Sequence, residues 1–136
     1  MFRASDYLRT LVANLLHSSG PTARVSIVLQ LADLSWDFET AIPCGLIVNE
    51  LLSNALKHAF PSGAGTVRLE LRGGDGGRGC VLTISDDGVG LPASIDLRRT
   101  DSLGLWLVRT LADQLGASVH IERMPGTTFT ISVPAV

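Results

Sequence analysis

NELLSNALKH, residues 49–58, decides how this chain is to be read. Leu51, Leu52, Ala55 and Leu56 recur at helical spacing and, with Ala59, form one apolar arc. Asn49, Glu50, Ser53, Asn54, Lys57 and His58 fall on the other arc. A helix that only covered a core would not need so much polar chemistry. Glu50 and Asn54 lie one turn apart, so their side-chain oxygens can converge on one point. Carboxylate and amide oxygens are hard donors suited to Mg²⁺, which keeps several waters and bridges to phosphates. Lys57, one turn further along the same side, is placed to meet a phosphate. The alternative is the solvated face of an amphipathic helix, and these residues alone leave both readings open.

Outward from this stretch, DFETAIPCGLIVNELLSNALKHAF predicts a long helix over 37–60, with Asp37 or Glu39 in its first turn and Pro61 just past its end. Pro43 and Gly45 are expected to break or kink it, leaving a short helix or turn before the main one. Trp36 and Phe38 are expected to staple it to the core. Upstream, Ser5 resembles an N-cap, and apolar residues at Leu8, Leu11, Val12, Leu15 and Leu16 predict a helix over 5–17. The β-branched, mostly alternating RVSIVLQL at 24–31 predicts a strand. Downstream, GTVRLELR (65–72) and GCVLTISDD (79–87) read as strands joined by a GGDGG hairpin loop. Residues 88–102 read as a loop or lid, and 103–116 as a helix that Gly116 can terminate. SVHIER and TTFTISVP close the chain as a hairpin around MPG. Paired strands with helices between the pairs predict an α+β, two-layer sandwich. Its mixed, largely antiparallel sheet is covered by helices on one face. The strand–helix alternation of a doubly wound nucleotide fold is missing.

The totals narrow the function. The 136 residues suit one domain, and 46% hydrophobic residues with a mean hydropathy of +0.31 supply a core and exclude wholesale disorder. A net charge of −2 without a basic cluster argues against nucleic acid. No apolar run approaches a membrane span, and the N-terminus lacks a signal-peptide pattern. Cys44 and Cys80 read as reduced core thiols of a cytoplasmic protein, and no Cys/His cluster has the spacing of a metal site.

Three further elements bear on a ligand. In DDGVG, 86–90, a strand ends in Asp86-Asp87 and runs into Gly88 and Gly90, placing a carboxylate at the sheet's end beside backbone that a ligand can approach. Such an Asp can accept a hydrogen bond from an exocyclic amine of a purine. Gly104 lies in the first turn of a helix, where exposed N–H groups favour phosphate oxygens. Gly126, Thr127 and Thr128 precede Phe129 in the closing hairpin. Each is weak alone, with an ordinary turn or strand as the bland reading.

In this order and at these separations the elements resemble the Bergerat-type ATP-binding fold shared by histidine kinases, gyrase B, MutL and Hsp90. NELLSNALKHAFP is similar to the N box, DDGVGLP to the G1 box, SLGLWLV to the G2 box and GTTF to the final GT motif. The wording of the N box and the short lid most resemble bacterial histidine kinases with the second type of dimerisation and phosphoacceptor domain. The resemblance covers roughly residues 24–136.

The resemblance implies roles residue by residue. Asn54 would ligand Mg²⁺ on the ATP phosphates, with Glu50 beside it as a second metal donor. Glu50 also stands where the family assists proton removal from the phosphate acceptor. Asp86 would take the adenine amino group, with Thr127 supporting that contact through water. Gly88, Gly90 and Gly104 would let lid and helix backbone close on adenine and triphosphate. Lys57 and His58 are candidates for phosphate contact. Leu103 and Thr128, inside their boxes, complete the expected nucleotide-binding set. The implied partners are a histidine-bearing dimerisation domain and a downstream response regulator.

Two departures from the pattern stand out. Ser102 replaces the first glycine of the G2 box, although a serine can cap the helix that follows. No phosphoacceptor histidine is evident: His58 belongs to the N box, His120 to a strand, and His17 is followed by Ser18 where an acidic residue is usual. Residues 1–20 are therefore expected to be the tail of a missing dimerisation domain, and 21–136 the catalytic domain. The rival enzyme is an anti-sigma-factor-type protein serine kinase. A gyrase- or MutL-type ATPase would need a lysine from a further domain, and a non-catalytic nucleotide sensor would not need both Glu50 and Asn54. Arg98 and Arg99 read as phosphate forks or as a solvated loop, and Trp106 as packing under the lid or a docking residue.

Overall fold

The structure, a computed structural model, describes residues 2–18, 24–56, 64–74, 79–88, 103–123 and 126–134. In chain order the elements are β1 (Phe2–Arg3), α1 (Ala4–Ser18), β2 (Arg24–Leu31), β3 (Ser35–Trp36), α2 (Phe38–Asn54), β4 (Ala64–Gly73), β5 (Cys80–Asp86), α3 (Leu103–Gln114), β6 (Ser118–Glu122) and β7 (Thr127–Val133). Five strands form one mixed sheet in the order β2-β4-β5-β7-β6. β2 and β4 are parallel, paired from Arg24↔Ala64 to Leu31↔Leu71, because the chain crosses between them through α2. The other pairings are antiparallel.

Strand alternation sets the two faces of the sheet. Val67, Leu69 and Leu71, with Cys80, Leu82 and Ile84 and then Phe129, Ile131 and Val133, are buried in register. They meet Leu8 and Val12 of α1, Ile47, Val48, Leu51 and Leu52 of α2, and Val108 and Leu111 of α3 in one core. Ser26, Gln30, Arg68, Arg72, His120 and Ser132 stand exposed on the opposite face. The sandwich with helices on one face is therefore as the sequence predicts.

Local chemistry explains the helix ends. Asp37 caps α2, its carboxylate accepting the Thr40 N–H at 2.9 Å. The α3 terminus is a Schellman turn: Gly116 adopts φ +65°, Ala117 N–H donates to the Ala112 carbonyl at 2.8 Å and Gly116 N–H to Asp113 at 3.1 Å.

Two expectations are corrected, and one element is added. Pro43 and Gly45 do not interrupt α2, which is continuous from Phe38 to Asn54. Proline removes one backbone donor early in the helix, and the burial of Ala41, Cys44, Ile47, Val48, Leu51 and Leu52 outweighs that loss. Gly45 is instead the point where Tyr7 of α1 reaches the helix: a Cβ there would sit 2.9 Å and 3.0 Å from carbons of its ring. Phe38 does not staple the helix, being 62% exposed with its ring edge-on to Phe2 at 4.5 Å, whereas Trp36 is buried. Finally, β1 and β3 pair as a two-residue antiparallel ribbon, Phe2↔Trp36 and Arg3↔Ser35, that fastens the start of α1 beside the start of α2. The end of the predicted 37–60 helix lies outside the described residues beyond Leu56, and so does nearly all of the expected lid.

Candidate functional site

Two clusters gather the residues singled out in the sequence. The first lies where α2 meets α3. Glu50 and Asn54, both half-buried, project from α2 towards the first turn of α3. A Cβ on Gly104 would stand 2.5 Å from Glu50 Oε2, 3.4 Å from its Cδ and 3.9 Å from the Asn54 amide nitrogen. Glu50, Asn54 and Gly104 are thus brought together from distant parts of the sequence. Just after Asn54 the helix widens into a π-type turn at Ala55 and Leu56, with the Ala55 N–H shared between the Leu51 and Leu52 carbonyls. Such widenings recur at functional sites.

The second cluster closes the end of β5. Asp86 continues the inward-facing row of Leu82 and Ile84 and pairs across the sheet with Thr127. Its carboxylate accepts the Gly88 N–H at 2.9 Å and is also bonded by the Thr127 backbone. Burial pushes the Asp86 carboxyl above its ordinary value; the Gly88 and Thr127 donors pull it down, and the neighbouring Asp87 charge adds to the rise. Asp87 is exposed and turns to β4 instead, accepting the Thr66 N–H at 2.8 Å. The two aspartates therefore divide the work: Asp87 fastens the strand end, and Asp86 is left with a carboxylate facing the space between sheet and helices.

Gly126 makes this closure possible. Its φ is +71°, and a Cβ there would collide with the Asp86 carbonyl. Thr127 beside it is 5% exposed on the helix side. Thr128 falls on the other face, opposite Ser85 and Glu122, and the structure does not bring it to Asp86. Leu103 opens α3. Lys57, His58, Gly90, Arg98, Arg99 and Ser102 lie outside the described residues. Trp106 is 53% exposed on α3.

Sequence reasoning did not foresee the bond of Asp87 to Thr66 or the positive φ of Gly126, and it missed a groove of about 350 Å³ on the α1 side of α2. That groove is lined by Tyr7, Thr10, Leu11, Asn14, Leu15 and Asn49. The signal for Gly126 was present in GTTF as a glycine ahead of a strand. The groove depends on how α1 docks, which no short motif records.

As for a metal, no cluster of three or more His, Cys, Asp or Glu side chains suited to holding an ion occurs among the described residues. Glu50 and Asn54 supply only two donors. That small set fits Mg²⁺, which takes one or two side chains, waters and substrate phosphates in preference to an all-protein cage.

The family described as histidine kinase-, DNA gyrase B- and HSP90-like ATPase matches residues 39–136. Over 132 residues, 94% of its length, the chain is 34% identical to blue-light-activated histidine kinase 2 of Erythrobacter litoralis, of which it covers 37%. It is 35% identical over 114 residues to the sensor histidine kinase PdtaS of Mycobacterium tuberculosis, a match covering 82% of this chain and 22% of that protein. The chain therefore spans well under half the length of these curated relatives. Among solved structures, the histidine kinase domain of Erythrobacter litoralis EL346 blue-light activated histidine kinase superposes with a TM-score of 0.90 at 32% identity, over 98% of this chain and 62% of that one. The catalytic domain of histidine kinase ThkA gives 0.77 at 16% identity over 98% of this chain and 94% of that one, a likeness of fold alone.

Proposed function

Since the chain belongs to the family of histidine kinase-, DNA gyrase B- and HSP90-like ATPases, we propose that it is the ATP-binding catalytic domain of a two-component sensor histidine kinase. In this reading it transfers the γ-phosphate of ATP to a histidine on a dimerisation domain, from which a response regulator is served. The supporting observation is the convergence of Glu50 and Asn54 on Gly104, three positions from separate motifs meeting where α2 and α3 touch.

Phosphoryl transfer asks the protein for positioning and charge neutralisation more than for covalent chemistry. Asp86 accepts the adenine amino group, and its orientation is preset by the Gly88 and Thr127 donors. Asn54, with Glu50 beside it, would hold Mg²⁺, which would supply charge neutralisation at the phosphate oxygens. Glu50 takes the proton of the acceptor. The N–H groups at the start of α3 face the phosphates. Lys57 and His58 join the phosphate contacts, and Gly90 the closure over adenine. A cytoplasmic setting, where ATP and reduced thiols are both found, accords with the free Cys44 and Cys80. The described residues contain no helix long and apolar enough to cross a membrane.

The test is transfer from γ-labelled ATP to a histidine-bearing dimerisation domain supplied in trans. An acid-labile, base-stable phosphoprotein that requires Mg²⁺ is the expected product. An acid-stable product on an anti-sigma antagonist would mark a serine kinase instead, and absence of Mg²⁺-dependent nucleotide binding would end both readings.

A further inference from the structure

Gly104 is a residue that its own backbone does not require. It is not among the glycines with positive φ, which are Gly79, Gly116 and Gly126, and it stands within α3, where alanine is the better helix former. Space, not conformation, explains it. The nearest atom to a Cβ at this position is Glu50 Oε2 at 2.5 Å, closer than real side chains tolerate, whereas Asn54 at 3.9 Å would be in ordinary contact. No hydrogen bond or ion pair among the described residues fixes the Glu50 carboxylate, so its place is set by shape.

We infer that Gly104 is a positioning residue for Glu50: the absent side chain leaves the gap in which the carboxylate rests against α3. The inference rests on the proposed role of Glu50 in taking the acceptor's proton. Glutamate is long and flexible, so an alanine at 104 leaves the fold intact and swings the carboxylate away. Asn54 and Asp86 stay where they are. The G2-box glycine thus acts on the proton-transfer group across the helix interface, apart from any approach of its own backbone to nucleotide.

Four proteins test this: the wild type, Gly104→Ala, Glu50→Asp and the double variant. Transfer to the histidine-bearing domain is measured at saturating Mg·ATP, and ADP affinity by calorimetry. Gly104→Ala is expected to slow transfer by about 10- to 100-fold, the scale of a misplaced proton-transfer group. Its nucleotide affinity is expected to fall by far less than the rate: Glu50 is lost as a second metal donor, but Asn54 keeps its place and an alanine keeps the N–H at position 104. In the Glu50→Asp background, where the shorter carboxylate clears position 104, adding Gly104→Ala costs much less. An equal loss in both backgrounds, or an affinity loss matching the rate loss, overturns the inference, since the glycine would then serve the nucleotide directly. If the wild type binds nucleotide but transfers nothing, the proposed function fails, and the crystal structure of Gly104→Ala decides the positioning. A displaced Glu50 carboxylate beside an unmoved Asn54 upholds it, and an unmoved carboxylate overturns it.

Discussion

Asp87 and Thr66 hold each other at both ends: the Asp87 carboxylate accepts the Thr66 N–H at 2.8 Å, and the Asp87 N–H donates to the Thr66 carbonyl at 3.2 Å. This clasp pins the end of β5 to β4 one residue beyond Asp86, whose carboxylate is then free to face inward.

Asp87→Ala breaks the side-chain half of the clasp. Because Thr66 N–H can turn to water, the expected stability loss is about 0.5–1.5 kcal/mol, read from chemical denaturation. ADP affinity, measured by calorimetry, should fall as well, since Asp86 loses the frame that aims it. A variant that loses stability yet binds ADP normally would show that the clasp does not orient Asp86.

In the proposed reading, with Asp86 accepting from adenine, nucleotide binding is expected to depend on pH. Its raised pKa means that burial disfavours the ionised form, so protonation sets in at a higher pH than the ordinary 3.8. An adenine amine donates better to the ionised carboxylate, so ADP affinity should weaken on acidification, starting above that ordinary value. For stability the sign is opposite. A raised folded-state pKa favours the fold below the unfolded pKa, and that advantage is lost as pH rises through the folded pKa. Asp86→Asn should therefore bind ADP at least about 10-fold more weakly, as for loss of a charged hydrogen-bond partner. Its affinity and stability should both be flatter across the acidic range. Titrations of both proteins by calorimetry and thermal denaturation check these signs.

Two glycines predict opposite outcomes for the same substitution. At Gly45 the obstacle to a Cβ is the hydroxyl end and ring of Tyr7, which is stacked with Phe2 and edge-on to Trp36. Gly45→Ala is expected to push α1 from α2 and cost about 1–3 kcal/mol, the range for overpacking a core. At Gly104 the obstacle is the tip of a flexible glutamate, so Gly104→Ala should leave Tm unchanged or slightly raised. Parallel thermal melts compare the two.

Cys44 and Cys80 are both buried. Burial pushes the Cys44 thiol up to about 12, with the Cys80 charge adding to it, and burial raises Cys80 despite its bond with Trp36. Neither thiol presents a thiolate near neutrality. Alkylation at pH 8 should be negligible in the native protein and complete in denaturant. Fast native labelling would mean that the α2–β5 contact opens readily.

The sequence carries those features whose cause is local. The period of α2, the alternation in β4, β5 and β7, the stop at Gly116 and the Asp86–Gly88 turn all depend on neighbours within a few residues, and all appear where expected. The β1–β3 ribbon is too short to carry a period, so only the docking of two helix starts reveals it. Pro43 carries a strong local veto that burial on both its flanks overrules. Phe38 looks like core by type, yet the direction in which α2 leaves its cap turns it outward. Thr127 and Thr128 are equivalent as letters, and register alone places them on opposite faces. The meeting of Glu50 with Gly104 depends on the approach of two helices, a distance that motif spacing does not encode.

α2 is the crossover that makes β2 and β4 parallel, and the same helix carries Glu50 and Asn54. The chain cannot register those two strands without threading these side chains over the sheet in the same act. Recovery of nucleotide binding during refolding is therefore expected no earlier than the pairing of β2 with β4, with Asp86 of β5 and Gly104 of α3 completing the site.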